Sequence, residues 1–211
     1  MRIKNLKSGF EKLIPAKARL IAHLIGDGCV YRSKTDYNIK YDNTDSELIE
    51  QYRNDLRDIY GFITKIEYKQ SGKTKKVTPY VRVRSKRAYD DLKKYCEFRS
   101  LGWRVPKNIS KATPTIQKEF LSALYDDEGS VVPEGKHGII RLYSINLKGL
   151  EQIQKILEKF KIKSKITAGF GFKRNVYALV VRDIKQFHKT IRFYCTRKQR
   201  RLVEFVKKEE E

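Results

Sequence analysis

An internal repeat limits the possible folds of this chain more than any other feature of its sequence. Residues 20–28 read LIAHLIGDG and residues 121–129 read LSALYDDEG, so Gly28 and Gly129 are 101 positions apart. Further correspondences at the same offset follow downstream: Asn43 with Ser144, Glu50-Gln51 with Glu151-Gln152, and Leu56 with Leu157. A period of this length is far beyond the roughly 20–50 residues of a solenoid repeat. The sequence therefore predicts two copies of one small domain in tandem.

Each copy shows the same order of expected elements. Apolar residues at helical spacing precede each glycine, and alternating stretches that favour strands follow it. The expected order is αββαββα in both copies, which gives an α+β fold with two four-stranded antiparallel sheets, each with helices on one face and the other face free. The remaining predicted elements are helices over 45–60, 147–161, 86–96 and 184–194, and hairpins that pair 62–68 with 77–84 and 164–170 with 176–182.

The boundaries between the copies follow from composition. Residues 98–114 contain Gly102, Pro106 and Pro114 and show no clear period, which indicates a linker. We therefore expect a first domain over 1–97 with an N-terminal extension before Pro15. The second domain is expected over 115–211 and to end in a basic helix.

The charge of the chain predicts a polyanionic partner. Its 211 residues include 47 Lys and Arg and 25 Asp and Glu, a net charge of +22. The basic residues concentrate in the predicted strands of 65–87 and 161–182, so nucleic acid is the expected partner and one face of each sheet should turn toward it. The alternative is a generally basic surface that only keeps the protein soluble.

Cysteine, histidine and hydropathy patterns exclude several other classes. Cys29, Cys96 and Cys195 are too far apart for a disulfide framework or a CxxC zinc knuckle, and the three histidines form no HxxxH pair. No apolar run reaches the roughly 18 residues of a membrane helix, and residues 1–12 lack the apolar centre of a signal peptide. We expect a soluble intracellular protein, in the cytoplasm or nucleoid or in an organelle.

The two nine-residue motifs resemble the paired signatures of the LAGLIDADG homing endonucleases, and the αββαββα unit also resembles that family's. Small residues four positions apart let two helices approach closely, and Ala22, Gly26 and Ala123 fit this requirement. Two residues depart from the family pattern: Asp127 stands at a position for a small residue, and His23 at one that is usually apolar.

Each motif ends in one candidate catalytic carboxylate. The repeat pairs Asp27 with Glu128, whereas Asp126 and Asp127 correspond to residues without a side-chain acid. A carboxylate at a helix C-terminus is disfavoured by the helix dipole unless a cation joins it, and the alternative is that both acids only end a turn before glycine. The resemblance implies Mg²⁺, held by Asp27 and Glu128 with the backbone carbonyls of Gly26 and Asp127. Mn²⁺ is expected to substitute, and Ca²⁺ to bind without efficient turnover.

The resemblance also implies polar and basic residues around each metal. Asn43 and Ser144, just after the second strand of each copy, are the candidates that organise water, with a role as helix N-caps as the alternative. Arg84, Lys86 and Arg182 are the basic candidates for catalysis, and plain phosphate contact is their alternative.

An antiparallel ribbon fits the major groove of DNA, so the free sheet faces are expected to recognise a long, pseudo-palindromic duplex site. The candidate DNA-binding residues are Arg32, Lys34, Asn38, Lys40, Lys69, Lys73, Lys75, Lys76 and Arg82 in the first copy, and Arg141, Lys165, Lys173 and Arg174 in the second.

The function implied by the resemblance is that of a monomeric, site-specific double-strand DNA endonuclease. Such an enzyme would cut across the minor groove and leave 3′ overhangs. No arrangement of splicing residues is evident, which favours an intron-encoded or free-standing enzyme over an intein. One alternative is a non-cleaving protein of the same fold, either an RNA intron maturase or a DNA-binding regulator. The other is a basic nucleic-acid-binding protein without sequence preference.

Overall fold

A computed structural model describes residues 10, 12–70, 77–172 and 174–209, and it contains two copies of the αββαββα unit. The first copy comprises α1 (Pro15–Ile25), β1 (Gly28–Arg32), β2 (Tyr37–Asp42), α2 (Ser46–Tyr60), β3 (Glu67–Gln70), β4 (Val77–Arg84) and α3 (Lys86–Lys93). After a short helix α4 (Lys107–Ser110), the second comprises α5 (Pro114–Glu128), β5 (Gly129–Glu134), β6 (His137–Ser144), α6 (Leu147–Lys159), β7 (Ser164–Phe170), β8 (Val176–Val181) and α7 (Ile184–Thr190), and it is followed by α8 (Thr196–Lys208).

The two sheets have the same topology. Their strand orders are β1-β2-β4-β3 and β5-β6-β8-β7, and every neighbouring pair is antiparallel. The register repeats as well, because Gly28 lies opposite Tyr41 and Gly129 lies opposite Leu142. The α+β class and the tandem architecture predicted from the repeat are confirmed.

One face of each sheet packs against the helices. Ile39 and Tyr41 of β2 are fully buried on this face, as are Leu142 of β6 and Leu179 of β8. These residues belong to one core that runs through both copies. The alternation of buried and exposed residues along each strand therefore leaves the opposite face, called here the outer face, free of helices.

Helices α1 and α5 lie side by side and join the two copies. Ala22 and Ala123, one from each helix, are fully buried. The two helices also approach closely at Gly26, where an added Cβ atom would be 2.7 Å from the Cβ atom of Asp127. A residue larger than glycine cannot occupy this position without moving one helix, so Gly26 sets how closely the two motifs approach.

A second contact between the copies lies further from the motif ends. The Arg19 guanidinium on α1 donates to Asp55 of α2 and to Glu119 of α5, with closest distances of 2.5 Å to each carboxylate. It thereby connects both copies through one side chain.

The structure corrects several predicted boundaries. Helix α1 ends at Ile25, with Gly26 as its C-cap, so Asp27 lies in the turn after the helix, whereas α5 continues through Glu128. Residues 61–66 are irregular rather than a strand, because Gly61 ends α2 in the left-handed conformation at a φ of 74°.

The helices that close each copy are also shorter than predicted. Helix α3 stops at Lys93 and α7 at Thr190, while α6 stops at Lys159. The expected N-terminal extension falls largely on residues 1–9 and 11, which lie outside the described residues. None of the helices in the described ranges is long and apolar enough to cross a membrane.

Candidate active site

Three acidic residues, Asp27, Asp127 and Glu128, lie at the end of the α1–α5 pair. The pKa of Asp27 is raised to about 7, first by burial and then by the charge of Asp127. The pKa of Glu128 is also raised to about 7, first by burial and then by the charges of Asp27 and Asp127. The pKa of each of these two acids is therefore raised by an acid of the other repeat.

Asn43 holds the Asp27 carboxylate. Its Nδ2 atom donates to Asp27 Oδ2 at 3.0 Å, while its Oδ1 atom accepts from the backbone N–H of Asp45 at 2.9 Å. The hydrogen bond to Asp45 closes a turn over residues 43–45. This turn fixes the side-chain amide so that its N–H groups face Asp27. Asp45, not Asn43, occupies the N-cap position of α2, so the alternative role proposed for Asn43 is wrong.

Ser144 occupies the equivalent position beside Glu128. Its Oγ atom accepts from the backbone N–H of Asn146 at 3.1 Å, and Asn146 caps α6. Ser144 and Glu128 line a cleft of about 260 Å³ whose other walls include Trp103 and Tyr143. No donor among the described residues forms a hydrogen bond with the Glu128 carboxylate. Burial raises the pKa of this carboxyl group.

The two departures from the motif pattern contact each other. His23 Nδ1 lies 3.0 Å from Asp127 Oδ2, and both side chains are fully buried. Burial lowers the pKa of His23, but the charge and the hydrogen bond of Asp127, together with the charges of Asp126 and Asp55, outweigh it and the net pKa is raised. Asp127 Oδ1 also accepts from the Tyr41 hydroxyl at 2.6 Å and from Asn43 Nδ2 at 3.3 Å. Asp127 therefore belongs to a buried hydrogen-bond network that reaches Asn43, and Asn43 connects this network to Asp27.

Lys198 is a basic residue at this site that sequence reasoning missed. Its ammonium group donates to the backbone carbonyl of Asp126 and, at 2.7 Å, to that of Gly129. These carbonyls flank Glu128, and the Lys198 charge acts to lower the pKa of both Glu128 and Asp27 against the effect of burial.

The start of α8 brings Lys198 to the motif. The Asp126 carboxylate accepts from the backbone N–H groups of Tyr194 and Cys195, each at 3.0 Å. This anchor joins residues that are 68 and 69 positions apart in sequence. Local sequence patterns carry no signal of such a contact.

The basic candidates in the first copy lie away from the acids. Val81 of β4 is opposite Tyr41, and Arg84 is three residues further along the strand, or roughly 10 Å at 3.3 Å per residue. Arg84 faces Asp36 at 3.7 Å, and Lys86 pairs with Asp90 at 2.6 Å on α3. The structure does not bring either residue to Asp27.

Arg182 is similarly placed in the second copy. It follows the last residue of β8 and forms two hydrogen bonds, at 2.8 and 2.9 Å, with Glu134 at the distant end of β5. Tyr177, the β8 residue opposite Ser144, is five residues away, or roughly 16 Å. The positions of the basic candidates therefore do not support their predicted part in catalysis.

Most of the described DNA-binding candidates lie on or beside the outer faces. Arg32 is an exception, because it lies opposite Tyr37 on the helix side, with its guanidinium 5.3 Å from the Tyr37 ring centre. Lys34 is in the β1–β2 turn and Arg174 in the β7–β8 turn. The outer-face candidates are Asn38, Lys40, Lys69, Arg82, Arg141 and Lys165. Lys73, Lys75, Lys76 and Lys173 lie outside the described residues.

Comparison with solved structures agrees with this architecture. Variants of the homing endonuclease I-DmoI superpose with a TM-score of 0.63 at 24% identity, over 86% of this chain and 91% of theirs. The homing endonuclease I-WcaI, bound to its DNA recognition sequence, gives a TM-score of 0.68 at 15% identity, over 95% and 91%. Full-length WhiA from Thermotoga maritima gives 0.63 at 15% identity, over 97% and 63%. At these identities the likeness concerns the fold.

Sequence comparison gives the family. An uncharacterized protein of Methanocaldococcus jannaschii is 31% identical over 141 residues, which are 67% of this chain. The chain spans about half the length of that curated relative, 51% of it. The family model for the LAGLIDADG-like domain matches twice, at residues 15–97 and 115–205. With both repeats matched and the two motif helices side by side, the chain belongs to the LAGLIDADG family.

Proposed function

We propose that this protein is a site-specific DNA endonuclease that hydrolyses one phosphodiester in each strand at a centre containing Asp27 and Glu128. The observation that carries the proposal is the meeting of these acids, one from each repeat, at one helix crossing. Burial and the charges of neighbouring acids raise the pKa of each to about 7. Such shifts lower stability at neutral pH, and they cluster at functional sites.

The donor set suits a hard divalent cation. Asp27 and Glu128 would hold it through their carboxylates, and Gly26 and Asp127 through their backbone carbonyls, because Mg²⁺ prefers oxygen ligands of these kinds. When bound, Mg²⁺ would stabilise charge on the attacking and leaving oxygens of a phosphodiester. Mn²⁺ is expected to replace it in catalysis, and Ca²⁺ to bind without efficient turnover.

The side chains around the acids have separate tasks. Asn43 holds the Asp27 carboxylate in one orientation through the 3.0 Å hydrogen bond. Ser144 lines the same cleft as Glu128 and would orient a water for attack on the phosphate. Lys198 fixes the end of α5 and adds positive charge where the phosphate must approach.

Duplex DNA is the proposed substrate. The net charge of +22 favours binding to a polyanion, and the two outer faces present basic residues on antiparallel ribbons that fit a major groove. The I-WcaI structure contains its DNA recognition sequence, and I-DmoI has been solved with DNA and Mn. Because the two copies are similar but not identical, one chain would bind a pseudo-palindromic site as a monomer.

The experiment selects bound duplexes from a random library and then incubates them with Mg²⁺, Mn²⁺ or Ca²⁺. We expect double-strand cleavage with the first two ions. Asp27→Asn should bind the selected duplex but not cut it, while Asp58→Asn, an exposed acid on α2, serves as the matched control.

Two results would overturn the proposal. Specific binding without cleavage in either Mg²⁺ or Mn²⁺ would identify a DNA-binding protein of the same fold. Equal affinity for all duplexes, falling with salt at a log–log slope near −0.9 per phosphate contacted, would identify a general nucleic-acid-binding protein.

A further inference from the structure

The outer faces of the two sheets can be compared position by position. The repeat offset of 101 equates residues of β2 with residues of β6. The outer-face pairs in these strands are Asn38 with Ile139, Lys40 with Arg141, and Asp42 with Tyr143. Two of the three polar positions of the first copy are therefore apolar or aromatic in the second.

The second central strand shows the same contrast. Asp42 lies opposite Tyr80, and its equivalent Tyr143 lies opposite Ala178, so β4 and β8 align at an offset of 98. Under this alignment Arg82 corresponds to Val180. The central arginine of the first outer face is thus absent from the second.

The first outer face presents hydrogen-bonding groups. Lys40 and Lys69 both pair with Asp42, at 2.9 and 2.8 Å. Arg82 pairs with Glu67 at 3.2 Å. These side chains are partly or fully exposed, so their donors and acceptors can exchange partners with base edges in a major groove.

The second outer face is largely apolar and already covered. Ile139 and Val180 are only 1% and 6% exposed, although none of the helices that the structure describes packs on this side. A β-bulge between Thr167 and Phe170 turns Phe170 onto the face, and its ring lies 5.6 Å from that of Tyr143. Phe170 therefore closes a small apolar cluster that is separate from the main core.

Arg141 lies across this cluster. Its guanidinium is 5.5 Å from the Phe170 ring centre, and its buried Nε atom has no hydrogen-bond partner among the described residues. Asn38 on the first outer face is itself only 4% exposed. Stacking on Phe170 limits the positions that the Arg141 guanidinium can reach, so this one central cation cannot replace the partly exposed polar set of Lys40, Asp42 and Arg82.

We propose that the two sheets recognise DNA by different means. The first sheet reads base edges by hydrogen bonds, whereas the second contacts mainly the DNA backbone and reads few bases, so most of the sequence information lies in one half-site. This inference rests on the proposed function only in requiring that the outer faces bind duplex DNA. A base read by a good bidentate contact is favoured over the wrong base by about 5- to 150-fold, which sets the expected contrast between the halves.

The test is selection from a random duplex library, followed by sequencing of the bound pool for the wild type and for reciprocal swaps. Arg82→Val and Asn38→Ile give the first sheet the residues of the second, and Ile139→Asn gives the second sheet a residue of the first. We expect one information-rich half-site in the wild-type pool, and loss of about tenfold or more in preference within that half-site for Arg82→Val. Ile139→Asn should add preference to the other half-site. Lys165→Ala should instead weaken all duplexes alike and reduce the salt slope by about 0.9.

Other outcomes separate this inference from the proposed function. Equal information in both half-sites, with cleavage intact, would overturn the inference and leave the endonuclease standing. Loss of preference in Arg82→Val confined to the poorer half-site would also overturn it. Thermal melting of each variant excludes unfolding as the cause, and Arg82→Val removes a partly exposed side chain, so the test does not depend on the more buried position 139.

Discussion

Replacing Glu128 by glutamine should stabilise the metal-free protein at neutral pH. In the fold the pKa of Glu128 is raised from 4.5 to about 7, first by burial and then by the charges of Asp27 and Asp127. The folded state therefore binds a proton more tightly than the unfolded state. Stability falls as the pH rises from about 4.5 to 7, because the unfolded chain releases this proton before the folded one does. Glutamine carries no charge and escapes this loss.

The size of the effect follows from the two pKa values. Their difference of about 2.5 corresponds to an upper limit of about 3.4 kcal/mol, at 1.36 kcal/mol for each tenfold change. Because Glu128 keeps a solvent-exposed part, screening reduces the expected gain for Glu128→Gln to about 1–2 kcal/mol in the free energy of unfolding at pH 7.5.

The assay is urea unfolding in EDTA at pH 4.5 and pH 7.5. The gain of Glu128→Gln over the wild type should be present at pH 7.5 and close to zero at pH 4.5. Glu151→Gln, at an exposed position of α6, is the control. Adding Mg²⁺ should stabilise the wild type more than the variant, since only the wild type keeps both carboxylates. Two results would refute the reasoning. The variant could be no more stable than the wild type at pH 7.5, or its gain in stability could be equal at both pH values.

Three further substitutions test the centre. His23→Leu should lower the free energy of unfolding by about 3 kcal/mol, because it leaves Asp127 buried and unpaired, and the double variant with Asp127→Gly should recover most of this; a neutral single variant in urea unfolding would contradict the buried pair. Gly26→Ala should cost about 1–3 kcal/mol in thermal melting through the clash with Asp127, and clearly less when combined with Asp127→Gly. If the cost is unchanged there, the clash is not its cause. Lys198→Met should slow cleavage about tenfold or more while Lys198→Arg retains part of the rate, and unchanged cleavage by the Met variant would remove Lys198 from the site.

The architecture could be predicted because its signals are local and occur twice. The apolar spacing in 20–28 and 121–129, the glycines that follow and the alternating strands each carry modest information, but their constant offset makes them consistent. The pairing of Asp27 with Glu128 was predicted from the same register, and Glu128 lines one cleft with Gly26, the residue before Asp27.

The basic residues of the site could not be predicted in this way. Alternation along a strand indicates which face a side chain occupies, but not which end of the strand is nearer to the motif helices. Arg84 and Arg182 were therefore chosen as catalytic candidates by residue type, although the strand register places them at the ends of β4 and β8 that are far from the motif acids. Lys198 reaches the site only because Asp126 anchors the start of α8, which is a tertiary contact.

The faces of the sheets show a related limit. A shift of one position moves a side chain to the opposite face, so Arg32 was included with residues that point the other way. The covering of the second outer face depends on the bulge before Phe170, where Gly169 has a φ of 95°. A glycine within a strand indicates a bulge, but not which side chain the bulge turns onto the face.

The most direct test of a catalytic centre shared by one acid from each repeat is strand-resolved cleavage of a selected duplex. The proteins compared are the wild type, Asp27→Asn and Glu128→Gln. We predict that the wild type cuts both strands in Mg²⁺, and that both variants bind the duplex with wild-type affinity but make no double-strand break. A variant that still breaks both strands at the wild-type rate would contradict this account.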